Sequence, residues 1–367
     1  RQCNPHTVWG GRSMKFWSDT IRKIAPYVPG EQPLDKKYIK LNTNENPYPP
    51  SPSVLEAIAA ETCSDIRLYP DPNASALKEA IANHYQVKAN EVFVGNGSDE
   101  VLAFSFPAFF NPGDTISFPE ITYSFYPVYA DLFHVRAVTV AMNEDFTFNP
   151  DSFPEGMKGI LLANPNAPTG IAVGLDVVER LLNRFPDTLI IVDEAYVDFG
   201  GQSAIPLINR YENLLVIHTF SKSRALAGLR IGYAIGNAAL IEGLERVKNS
   251  FNSYTLDMVA QSAAIAAVND PDYTRRTCER IVNTRESTRA KLLEMGCNAL
   301  PSSTNFLFVS HPNFTGKELL LKLKQEGILV RNFQKSGIEN WLRISIGTDE
   351  EMTVFIEKLE AIVTGQV

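Results

Sequence analysis

Two continuous apolar runs, residues 189–192 (LIIV) and 214–218 (LLVIH), each end in a polar cluster, and no other feature restricts the fold as much. An uninterrupted run of this length fits a strand covered on both faces, as in parallel sheets sandwiched between helices. The pattern recurs upstream. Residues 91–94, 115–118, 135–140 and 159–163 read as strands. Residues 52–63, 76–85 and 177–185 carry apolar positions at helical spacing, and an apolar helix is expected from near Glu100. Strand and helix signals in alternation predict an α/β unit with a mainly parallel sheet.

After Tyr233 the pattern changes. Residues 240–295 read as almost wholly helical, and residues 296–367 read as strand, helix, strand, helix. The expected organisation is an N-terminal arm at 14–47, a large domain at 48–240, a connecting helix at 241–275 and a small α+β domain at 276–367. Residues 1–13 have no periodic pattern and are expected to be an expression scar before Met14.

The chain has 367 residues and a formal net charge of -8, which argues against nucleic-acid or anionic-membrane partners. Any bound anion has to be met by local cations. The four cysteines, Cys3, Cys63, Cys278 and Cys297, are scattered. That spacing argues against a zinc site or disulfide framework and fits a reducing cytoplasm, with no metal expected. No apolar run approaches the roughly 20 residues that span a bilayer.

Four polar clusters follow expected strands, where open α/β sheets bind ligands. The first, Gly95-Asn-Gly-Ser-Asp-Glu100, suits a phosphate at a helix N-terminus or, equally, a plain capping loop. The second, Asn164-Pro-Asn-Ala-Pro-Thr-Gly170, would by itself be only a turn. The third places Asp193 at the end of LIIV, where a carboxylate needs a partner to offset desolvation. That partner is a cofactor's protonated ring nitrogen, a helix N-terminus or an arginine. The fourth puts Lys222 just beyond LLVIH, with Ser221 beside it and Arg230 eight residues on. A desolvated lysine can serve as a Schiff-base nucleophile, although most lysines are solvated surface charges.

Taken together, LNTNENPYP, Tyr69-Pro-Asp, PNAPTG, VDEAYVDF and SKSRALAGLRIGY resemble the aspartate-aminotransferase superfamily of pyridoxal-phosphate (PLP) enzymes, fold type I. Within it the chain is similar to the histidinol-phosphate aminotransferases, from about Ile24 to Ile362.

The resemblance implies PLP held as a Schiff base on Lys222, with Asp193 at the pyridine nitrogen and Tyr196 at the phenolic oxygen. Gly97, Ser98, Asp99, Ser221 and Arg230 are implied around the cofactor phosphate, and Tyr123 on the ring. Family members often have Asn directly before Pro-Thr-Gly where this chain has Ala167, so Asn166 is the expected substitute, with Asn164 open. Tyr27, Asn46, Asn305, Arg331 and Arg343 are implied at the substrate. Tyr69 is implied to reach the partner's site in a homodimer. The implied reaction is amino transfer between L-histidinol phosphate and 2-oxoglutarate in histidine biosynthesis. A threonine-phosphate decarboxylase and an aromatic amino-acid aminotransferase are the alternatives.

Overall fold

The apolar runs lie at the centre of a seven-stranded sheet in the computed structural model, which describes residues 15–62 and 64–365. The segment 1–13 lies outside the described residues. In chain order the strands are β1 (Ile39–Lys40), β2 (Val92–Gly95), β3 (Thr115–Pro119), β4 (Arg136–Val140), β5 (Gly159–Ala163), β6 (Leu189–Asp193) and β7 (Leu214–Thr219). They continue with β8 (Gly232–Gly236), β9 (Asn298–Ala299), β10 (Phe306–Ser310), β11 (Ile328–Leu329), β12 (Arg331–Asn332) and β13 (Leu342–Ser345). The large sheet runs β2-β8-β7-β6-β5-β3-β4. Only β8 opposes its neighbours, so the sheet is mainly parallel, as the alternation predicts.

Alternate residues of each central strand face opposite helical layers. Ile160, Leu162, Ile190, Val192, Leu214 and Val216 pack with helices Ser75–Tyr85, Leu175–Arg184 and Met258–Val268. Leu161, Ile191, Leu215 and Ile217 face helices Gly97–Phe109, Phe125–Leu132 and Ala238–Phe251. Burial of each such side chain contributes about 1.5–3 kcal/mol, which is why the runs tolerate no polar residue until the strand ends.

The single connecting helix expected at 241–275 is instead a succession, Ala238–Phe251, Met258–Val268 and Pro271–Glu294. Asp257 accepts from Ala260 N at 2.7 Å and Asp270 from Tyr273 N at 3.2 Å, so each carboxylate caps a new start. The last helix carries Ile281 and Leu292 into a second core with β10, β13 and helices Gly316–Gln325 and Asp349–Val363. An antiparallel sheet, β12-β13-β10-β9, forms that unit. The arm joins it: β1 pairs in parallel with β11, Ile39 opposite Ile328, and Leu41 enters the second core.

Candidate active site

The parallel strands deliver their polar ends to one edge of the sheet. There a cavity of about 260 Å³ opens between that edge, the arm and β13. Its floor is Asp193, the last residue of β6, with Ala163 and Ala195 beside it. Asp193 is buried, and it accepts from the Tyr126 hydroxyl at 3.1 Å and Ala195 N at 3.2 Å. Burial pushes its carboxyl up to about 6, against the opposing pull of those two hydrogen bonds.

Lys222 lies one turn beyond β7, half-buried on the cavity wall. Its Nζ donates to Thr43 O at 3.3 Å and stands 5.7 Å from the centre of the Tyr196 ring. Tyr196 lines the same cavity, packed edge-on against Phe306 at 5.1 Å.

At the far end, helix Gly97–Phe109 points its N-terminus at the cavity through Ser98 and Asp99. Its N-cap Asn96 makes no side-chain cap bond, and Asn96 Nδ2 instead donates to Thr255 O at 3.1 Å. The helix therefore offers free N–H groups and the positive end of its dipole. Arg230 adjoins it, bonding Asp99 Oδ2 at 3.0 Å and Ser221 Oγ at 3.4 Å. Asp99 also accepts from the Tyr123 hydroxyl at 2.9 Å, so one carboxylate sets both Arg230 and the cavity-lining Tyr123.

A Cβ added at Gly232 would run into the backbone of Gly97 and Ser98, so β8 can lie against this loop only with glycine there. Gly232→Ala is expected to weaken binding of a phosphate-bearing cofactor by about tenfold or more, measured as a fluorescence Kd; unchanged affinity would contradict the close approach.

The expected residues do not all meet. Tyr27, Ser98, Asp99, Tyr123, Asp193, Tyr196, Ser221, Lys222, Arg230 and Arg343 line the cavity. Gly97 lies directly behind, against Arg230.

Asn166 is placed elsewhere. Its Nδ2 donates to Ile121 O at 2.9 Å and Thr169 Oγ1 at 3.0 Å, and its Oδ1 accepts from Thr122 at 2.8 Å. Its amide is spent on the loop, and Asn164 is likewise spent on Val173, at 3.1 and 2.8 Å. The loop residues on the cavity wall are Pro165 and Ala167, neither of which offers a side-chain hydrogen bond.

Asn46 and Asn305 stand behind the wall. Asn46 Nδ2 holds the carbonyls of Lys222 and Ser223 at 3.0 and 3.2 Å, and Asn305 Nδ2 holds Asn44 O at 3.0 Å. Arg331 lines a neighbouring hollow of about 710 Å³, from which Tyr27 and Tyr123 separate the cavity. Tyr69 is 80% exposed and stacks on Tyr254 at 4.5 Å. Among the described residues no cluster of His, Cys, Asp and Glu could hold a metal.

Sequence reading missed Tyr126 and Asn44. Tyr126 was signalled only by lying three residues after Tyr123, in the first turn of helix Phe125–Leu132, with the two rings edge-on at 5.7 Å.

The sequence pattern of the family described as "Aminotransferase class I and II" matches residues 36–359. The chain belongs to the class I and II aminotransferases. A histidinol-phosphate aminotransferase of Brachyspira hyodysenteriae is 52% identical over 349 residues, 95% of this chain and 99% of that protein. One of Marinomonas sp. is 53% identical over 351 residues, with the same coverage. Among solved structures, the Sinorhizobium meliloti histidinol-phosphate aminotransferase in complex with pyridoxal-5'-phosphate superposes with TM-score 0.88. It is 25% identical, and the match covers 97% of this aminotransferase and 99% of that chain.

The residues present fit such a cofactor. Asp193 is a buried carboxylate with no ion-pair partner among the described residues, the far end is an uncapped helix N-terminus with Arg230, and a lysine amine stands between.

Proposed function

We propose that this aminotransferase moves the amino group of L-histidinol phosphate to 2-oxoglutarate, using pyridoxal phosphate bound through Lys222. The cofactor supplies an electron sink for the bond broken at the amino-bearing carbon. Asp193 pairs with the pyridine nitrogen and keeps it protonated, which relieves the cost of the buried carboxylate. The helix N-terminus at Gly97–Asp99, Ser221 and Arg230 hold the phosphate. Tyr123 covers one face of the ring, and Tyr196 donates to the phenolic oxygen. Once the substrate amine has taken its place, Lys222 Nζ is the base that removes the proton from the amino-bearing carbon.

One observation carries the substrate reading. Arg331 and Arg343 are directly opposite each other on β12 and β13. Like charges in that position are unfavourable unless an anion lies between or beside them. Both guanidiniums lie close to the Phe333 ring, at 5.7 and 5.5 Å, and the Arg343 Nε is buried without a partner among the described residues. Burial above all, with Arg331 adding to it, holds the Arg343 guanidinium below its ordinary value. A phosphate or carboxylate satisfies the orphaned donor and separates the two charges. Tyr27, which stacks on Phe125 at 4.4 Å, closes the pocket on the arm side.

The active form in this reading is a homodimer. Ile66, Leu68 and Tyr69 (63%, 49% and 80% exposed) are large apolar side chains close in sequence and open to solvent, which a second copy would cover, with Tyr69 reaching the partner's site.

Arg343→Lys keeps the charge but loses the planar fork. It is expected to raise KM for histidinol phosphate and glutamate alike by roughly tenfold or more, whereas Arg331→Ala raises it mainly for the phosphate substrate. Equal effects of Arg331→Ala on both substrates would contradict the assignment. The reaction itself is tested by supplying histidinol phosphate with 2-oxoglutarate, phenylalanine with 2-oxoglutarate, and threonine phosphate alone. Glutamate from the first is expected; CO2 from the third, without glutamate from the first, would mean a decarboxylase.

A further inference from the structure

The cavity contains an asparagine that the mechanism above does not use. Asn44, on the arm, lines it and donates from Nδ2 to the Tyr196 hydroxyl oxygen at 2.9 Å. Its orientation is set from the small domain. Ser345 Oγ accepts from Asn44 N at 2.9 Å and donates to Asn44 Oδ1, also at 2.9 Å. With Oδ1 turned to the Ser345 hydroxyl, the amide presents its N–H to Tyr196. An N–H donates and cannot accept, so the Tyr196 oxygen accepts there and its own proton must point elsewhere. Asn305 holds the Asn44 carbonyl at 3.0 Å, and Asn44 itself sits at φ 55, a left-handed conformation that asparagine tolerates. The same turn aims the carbonyl of Thr43 at Lys222 Nζ, 3.3 Å away. Pro165 and Ala167, the loop residues lining this cavity, offer no competing side-chain amide.

We infer that Asn44 is a positioning residue that forces the Tyr196 hydroxyl proton toward the cavity, in register with the small domain through Ser345 and Asn305. This inference rests on Tyr196 donating to the bound cofactor. Asn44 Nδ2 occupies one lone pair of the phenol, removes the alternative in which Tyr196 donates to the protein, and leaves its O–H as a preset donor. Presetting a donor before the chemical step is worth more than forming the bond afterwards, because no reorganisation is needed at the moment of reaction.

Two substitutions separate positioning from simple bracing. Asn44→Gly tolerates the left-handed backbone and deletes the amide. Asn44→Asp keeps the acceptor for Ser345 but replaces the donor by a carboxylate, which would capture the Tyr196 proton. If Asn44 positions Tyr196, Asn44→Asp is the more damaging, lowering kcat by on the order of 100-fold, against roughly 10-fold for Asn44→Gly. The pH midpoint of the visible band of the lysine-bound cofactor should rise in both, by roughly 1 unit in Asn44→Asp, because an anionic oxygen that loses a donor gains proton affinity. In a Tyr196→Phe background both substitutions should change kcat and midpoint by less than about twofold and a few tenths of a unit. Melting temperatures of all variants exclude loss of fold. Asn44→Asp milder than Asn44→Gly, or effects that multiply with Tyr196→Phe, would overturn the inference. Lys222→Ala that retains the visible band would instead overturn the underlying cofactor reading, so the two failures are distinguishable.

Discussion

Lys222→Ala is expected to yield a folded protein that has lost the visible cofactor band and whose kcat has fallen by on the order of 10⁴-fold or more. The fold should survive because Lys222 holds little of it: its side chain is half-buried, and among the described residues its amine makes one hydrogen bond, to Thr43 O. The chemistry should not survive, since in the proposed reading the same nitrogen both carries the cofactor and moves the proton. An added primary amine should restore part of the proton transfer without restoring the band, separating those duties. A variant with near-normal turnover would place the reactive amine elsewhere.

The second large effect changes sign with the cofactor. In the cofactor-free protein the Asp193 carboxyl is pushed up to about 6 from an ordinary 3.8, so the folded form binds that proton more tightly than the unfolded chain does. The contribution of Asp193 to stability is therefore fully present below about 3.8 and is lost as pH rises through about 6. At pH 8 the ionised form costs about 3 kcal/mol, the gap between those values. Asp193→Asn should accordingly raise the melting temperature of the cofactor-free protein at pH 8 and change it little at pH 4. With cofactor bound, the same substitution removes the proposed partner of the protonated pyridine nitrogen. Affinity and kcat should then fall by on the order of 10²- to 10³-fold. Changes in the same direction with and without cofactor, in thermal denaturation at both pH values, would contradict the assigned pairing.

The parts of the fold legible in the sequence are those where burial on both faces leaves no freedom. LIIV and LLVIH became β6 and β7 with their ends within a residue, and Gly159–Ala163 became β5. The strand β8 was not legible: glycines bound its five residues, and it runs against its neighbours. The long helical stretch concealed two breaks, because Asp257 and Asp270 resemble ordinary polar helix residues until their capping bonds are seen.

The site divides the same way. Lys222, Asp193 and Ser98 could be placed at the cavity because each stands at or just beyond the end of a strand legible in the sequence, whereas Arg230, beside the unread β8, rested on the resemblance. Asn44 and Tyr126 could not, since their roles depend on contacts with Tyr196 and Asp193, 152 and 67 residues away in sequence. Asn166 stands off the cavity wall for a local reason: donors and acceptors at Ile121, Thr122 and Thr169 engage its amide, and composition does not say which partners will win.

The central claim is that the Lys222 cavity transfers an amino group from a phosphate-bearing amine to a 2-oxo acid. The most direct measurement follows labelled nitrogen from L-histidinol phosphate, mixed with the cofactor-loaded protein and 2-oxoglutarate. The account predicts labelled glutamate accumulating in step with loss of histidinol phosphate, and none with Lys222→Ala. Label appearing as free ammonia, or unlabelled glutamate only, would contradict it.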